Sequence, residues 1–90
     1  MCTAISRSDH VRGAGKGAQG WFPLTRCTVG FDHSTHTADE HAVLIDFSNY
    51  GIGTEARVAV ELDIRSAKVL LDQLREAVDR AEALERNGDD

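Results

Sequence analysis

The distribution of hydrophobic and polar residues divides the chain into three strand-like segments and one helix. Side chains alternate with a period of two over residues 21–31, 41–49 and 56–62. That period places successive side chains on opposite faces of a strand. In residues 41–49 both alternating sets are largely apolar, which predicts a central strand covered on both faces.

Residues 63–86 carry a helical pattern instead. Apolar side chains recur at spacings of three and four and form one broad stripe, made of Ala67, Leu70, Leu71, Leu74, Ala77, Val78, Ala81 and Leu84. Asp63 is the predicted N-cap, since its carboxylate can accept from the first free backbone N–H groups. Asn87 and Gly88 supply the stop signal.

Together these elements predict an α+β fold. We expect a small antiparallel sheet of three or four strands, with one long C-terminal helix packed on one face, in a single domain over residues 1–90. Residues 1–12 would form an N-terminal arm or an edge strand. Because one helix shields only one face of a sheet, we expect the protein to be a homodimer.

A glycine-rich segment over residues 13–20 is predicted to be a loop between strands. Gly15, Gly17 and Gly20 match the G-x-G-x-x-G pattern of dinucleotide-binding proteins. That pattern requires a strand before it and a helix after it, and Pro23 is incompatible with a helix opening here. We therefore expect no nucleotide cofactor.

The charge and composition narrow the range of partners. The net charge is -5 and the isoelectric point is about 5.2, with the basic residues scattered along the chain. This distribution argues against a nucleic-acid partner. No apolar run has the length of a membrane span, so no membrane partner is expected. The first residues are polar and do not resemble a secretory leader, which makes the cytoplasm the expected location.

The chemistry of the chain is concentrated in residues 32–41, which hold three of its four histidines. The spacing of His33 and His36 allows two imidazoles to reach one ion from a turn, and His41 can return from the start of the next strand. Imidazole ligands of this kind suit zinc or another transition metal. His33, His36 and His41 are the predicted metal ligands.

The same residues support two other functions. In a metal-free enzyme, Glu40 or Asp32 would hold His41 in one tautomer as a general base, for an isomerase, cyclase or hydrolase acting on a small molecule. Aromatic residues nearby would then line a substrate pocket. The third alternative is a non-catalytic module that only associates with itself. The pattern of residues leaves all three open.

Several motifs together resemble a family of small actinobacterial proteins of unknown function. They are Gly15-Lys16-Gly17-x-x-Gly20-Trp21-Phe22, Asp32-His33-x-x-His36-x-x-x-Glu40-His41-Ala42, Ile45-Asp46-Phe47 and the run Ala56-Arg57-Val58-Ala59-Val60-Glu61-Leu62. The resemblance covers roughly residues 10–80. It implies a small single domain and no particular activity.

Overall fold

The computed structural model describes residues 5–34 and 40–87. Four strands are followed by one helix: β1 (Ile5–Gly17), β2 (Gly20–His33), β3 (His41–Ser48), β4 (Arg57–Leu62) and α1 (Ile64–Arg86). The strands form one antiparallel sheet in the order β1-β2-β3-β4. The predicted α+β class, with a small antiparallel sheet and a C-terminal helix, is confirmed.

The register separates the sheet into two faces of different chemistry. Val29 pairs with Ile45 and Ile45 with Val60, so these three side chains share one face. We call this the apolar face, and it includes Ile5, Cys27, Val29, Phe31, Val43, Ile45, Phe47, Val58, Val60 and Leu62. The opposite face is largely polar.

The glycine-rich segment is not a loop, and the predicted boundary at residue 13 is wrong. Residues 13–17 continue β1, and only Ala18 and Gln19 form the turn to β2. A side chain at Gly15 would approach Leu24 to 3.1 Å, and one at Gly17 would approach Phe22 to 3.1 Å. The glycines therefore leave room for β2 side chains to lie across β1. Of the two alternatives for the N-terminal segment, β1 is the edge strand.

β2 begins three residues before Pro23, which lies inside the strand and pairs with Ala14 of β1. β3 ends opposite Arg26, so no ladder partner requires the missing N–H of Pro23 on that side. On that side the buried Asn49 supplies the hydrogen bond that a neighbouring strand would make, because its Nδ2 donates to Pro23 O at 2.9 Å. Its Oδ1 accepts from Gly51 N, which holds the turn after β3.

The helix does not pack across a face of its own sheet. It contacts mainly β3 and β4, and α1 has no buried residue. Leu71, Leu74 and Leu84 expose 51%, 57% and 55% of their surface. The helix therefore leaves most of its apolar stripe exposed in the single chain. The expectation that β3 is covered on both faces is wrong for the single chain, since only Ala42 and Ser48 of β3 are buried. Among the described residues, no helix has both the length and the apolar composition needed to cross a bilayer.

The start of the helix is fixed by Asp63, as the sequence predicts. Its Oδ1 accepts a hydrogen bond from Ser66 N at 2.7 Å, and Asn87 ends the helix with its N–H donating to Ala83 O. The backbone hydrogen bond from Ser66 lowers the pKa of Asp63 below the usual 3.8, assisted by the Ser66 side chain and by the charge of Arg65.

This cap makes a prediction about pH. Because the pKa of Asp63 is lower in the folded state, its contribution to stability is complete above about pH 4 and is lost as the pH falls through the folded value. Asn also caps helices but does not titrate in this range. We expect Asp63→Asn to lose less helical stability than the parent protein between pH 5 and pH 2, measured by circular dichroism during thermal unfolding. Identical pH profiles for the two proteins would contradict this role.

Candidate metal centre

The end of the β2–β3 hairpin brings two histidines together. His33, the last residue of β2, lies directly opposite His41, the first residue of β3. The next pair toward the loop is hydrogen-bonded, with Ser34 N donating to Glu40 O at 3.1 Å. Pairs alternate in an antiparallel ladder, so His33 and His41 occupy a non-hydrogen-bonded position, where the strands bring side chains closest.

The two imidazoles belong to a column of three rings. The centroids of His33 and His41 are 4.8 Å apart with planes inclined at 23°, and Phe31 also stacks on His41, at 5.4 Å and 20°. All three residues share the apolar face, because Phe31 and His33 are two positions apart on β2. The His41 ring is thus restricted by contacts with both Phe31 and His33.

Glu40 completes a group of three metal-ligating side chains. One nitrogen each from His33 and His41 and one carboxylate oxygen from Glu40 all lie within 4.8 Å of one another. Ligand atoms bound at 2.0–2.1 Å around a tetrahedral zinc ion are about 3.4 Å apart. A contraction of about 1.4 Å would therefore bring the three atoms to binding distance. His33 and Glu40 are exposed, so their side chains can make this adjustment by rotating.

The other two predicted site residues are Asp32 and His36. Asp32 pairs with Ala42 on the opposite face of the sheet, and its Oδ1 accepts from His33 N at 2.7 Å. Glu40 is thus the carboxylate that the structure groups with the two imidazoles. His36 lies outside the described residues. The sequence pointed to His33, Glu40 and His41, but it did not identify Phe31 as a ring partner, although the two-residue spacing from His33 placed both on one face.

The polar face carries a second group of charges, around Asp46. A carboxylate within a largely apolar strand needs a partner, because burying an unpaired charge is costly. Arg57 of β4 provides it, with Nε donating to Oδ2 at 2.7 Å. Asp46 Oδ1 is buried and accepts no hydrogen bond from the described residues. The pair lines a shallow groove of 570 Å³ that also includes Thr28, Leu44 and Glu61.

Cys27 lies six positions along β2 from His33 and does not join the candidate metal ligands. Burial raises the pKa of its thiol, and the negative charges of Asp9 and Asp46 raise it further. A thiol in this environment remains protonated and is a poor nucleophile. Cys27 pairs with Phe47 and is therefore a small residue of the apolar face. Cys2 lies outside the described residues.

The fold and the site together define a class of small α+β proteins. In this class the hairpin between β2 and β3 ends in a group of two histidines and one glutamate. The chain belongs to a family of unknown function, DUF6295, whose model matches residues 1–87. This confirms the expected membership of a family of unknown function. No curated protein and no solved structure matches the chain.

Proposed function

We propose that the protein binds a divalent transition metal, with zinc as the first choice, through His33, Glu40 and His41. The observation that carries this proposal is the convergence of two imidazole nitrogens and a carboxylate oxygen within 4.8 Å at the end of one hairpin. Two nitrogens and one oxygen form a ligand set that zinc binds well in proteins. Three protein ligands leave a fourth coordination position for water or a small molecule.

The ring column also supports this function. His41 stacks with both Phe31 and His33, so less freedom is lost when it binds an ion than for an unrestrained imidazole. The nearly parallel rings of His33 and His41 do not aim their nitrogens at a common point. Metal binding therefore rotates the exposed His33 ring toward His41, and the stacking of these two rings changes when the metal binds.

Zinc titration of protein made without a histidine tag tests the proposal. We expect one zinc ion per chain by isothermal titration calorimetry and a melting temperature that rises with zinc concentration, because the metal binds the folded hairpin. The affinity should fall as the pH is lowered, since protons compete with the metal for imidazole nitrogens. Protein that takes up no zinc, nickel or copper and gains no thermal stability from them would overturn the proposal.

A second candidate function uses the same residues without metal. His41 lines a recess with Phe31 and the helix start at Asp63, Ile64 and Arg65, and Glu40 lies beside its ring. A carboxylate that orients an imidazole is the usual arrangement of a general base. This acid–base function predicts turnover or binding of a small molecule that persists in the presence of a chelator, whereas the metal site predicts its loss.

A further inference from the structure

The single chain exposes more surface than a compact protein of its size. Its accessible area is 7210 Å², about 2,000 Å² more than the roughly 5,200 Å² expected for this mass. The radius of gyration is 15.4 Å, against about 12 Å for a compact chain of this length. If a dimer buried this excess area on both of its chains, the total buried area would be about 4,000 Å², which lies in the range of obligate homodimers.

The helix contributes a long part of this uncovered surface. Its apolar stripe runs along the whole of α1, and within the described residues no other element covers it. The side chains concerned are Ile64, Leu70, Leu71, Leu74, Val78 and Leu84, which are 38% to 58% exposed. The opposite side of α1 carries the charged residues Asp72, Glu76 and Asp79. The charged side of the helix is therefore suited to contact with water, and the apolar side is suited to contact with a partner.

The alanines and leucines along the centre of this stripe are placed in an order that fits a second copy. If two helices pair in antiparallel directions about a point between Leu74 and Ala77, Leu74 meets Ala77 of the other helix. In the same register Leu70 meets Ala81, and Leu84 meets Ala67. Each of these three leucines then faces an alanine, which allows close packing along the centre of the stripe. A parallel pairing would instead place leucine on leucine and alanine on alanine.

We propose that a second copy of the chain packs its helix antiparallel against α1, so that Leu70, Leu74 and Leu84 each face an alanine of the second helix. The antiparallel direction also sets each positive helix N-terminus beside a negative C-terminus. The helix is about 34 Å long, so the partner's last turn reaches the first turn of α1, beside the sheet. The proposal is independent of metal binding.

Sedimentation equilibrium with a pair of leucine variants tests the proposal. We expect a mass about twice 9.8 kDa for the parent protein. Ala77→Leu sets leucine against Leu74 at two places in the antiparallel dimer, so its dissociation constant should rise about tenfold or more. Asp79→Leu adds the same side chain on the charged side and should leave the constant unchanged. Circular dichroism verifies that both variants keep their helix.

Spin labels test the direction of pairing directly. Labels are attached at Arg75→Cys or Arg86→Cys in protein without Cys2 and Cys27. In the antiparallel dimer the two labels at position 75 are offset along the axis by about 1.5 Å and those at position 86 by about 30 Å. The distance between labels should therefore be longer at position 86 by more than about 10 Å.

Three results would overturn the proposal. The first is a parent protein that stays monomeric at high micromolar concentration, as expected if the helix folds back on its own sheet. The second is a tighter dimer for Ala77→Leu, which would fit a parallel pair. The third is an equal distance between labels at the two positions.

Discussion

Replacing His41 by alanine is expected to lower the affinity for zinc by at least about 100-fold, since residues that only orient a ligand already change affinity by about 10- to 100-fold. His41 is the member of the ring column that stacks with both His33 and Phe31. Its loss removes one ligand and also the ring against which His33 is positioned. Calorimetry or competition with a chromophoric chelator measures the effect.

His10→Ala is the matched control for this experiment. His10 lies on β1 opposite Arg26, outside the group of candidate ligands, and its replacement should leave zinc affinity unchanged. His33→Ala and Glu40→Gln should each weaken zinc binding without unfolding the protein, because both side chains are exposed at the end of the hairpin. Zinc affinity that survives the His41 replacement would show that the ion is held elsewhere.

Replacing Gly30 by alanine is expected to destabilise the fold by about 2–3 kcal/mol, near the upper end of overpacking effects. A Cβ atom at Gly30 would lie 2.6 Å from the backbone carbonyl oxygen of Ile5. Because this oxygen belongs to the main chain of β1, the clash cannot be relieved by rotating a side chain. The edge strand must move away from β2, and the ladder beside Gly30 weakens.

Gly13→Ala provides the control in the neighbouring strand. A Cβ atom at Gly13 meets nothing within 4 Å, and Gly13 does not have a positive φ. Its replacement should change stability by less than about 0.5 kcal/mol. Urea unfolding followed by circular dichroism gives both values. Equal stabilities for the two variants would mean that β1 does not approach β2 as closely as the structure shows.

The strands and the helix could be predicted because each depends on local physical properties. The period of two in residues 41–49 and 56–62 reflects the pleat of a strand, and spacings of three and four after Asp63 reflect the helical turn. Asp63 was identifiable as a cap because the bond to Ser66 N forms within one turn. The prediction of a glycine-rich loop was wrong because these glycines accommodate side chains of the neighbouring strand. Gly15 and Gly17 give room to Leu24 and Phe22.

The candidate site was partly predictable for a similar reason. A hairpin necessarily brings the ends of its two strands together, so the sequence indicated that His33 and His41 would be neighbours. It could not choose between Asp32 and Glu40, because the choice depends on strand register and on where the ladder ends. The pairing of His33 with His41 places Asp32 on the opposite face and leaves Glu40 at the strand end.

The sequence by itself determined the order of the elements, the apolar stripe of the helix and the concentration of metal-ligating residues between two strands. These follow from short-range periodicity and from the covalent closeness of residues along the chain. The tertiary structure decided the register, which joins Phe31, His41 and His33 in one column and Asp46 to Arg57. It also decided that α1 leaves its stripe open, because the path of a helix after its first turn depends on contacts with distant residues or with another chain.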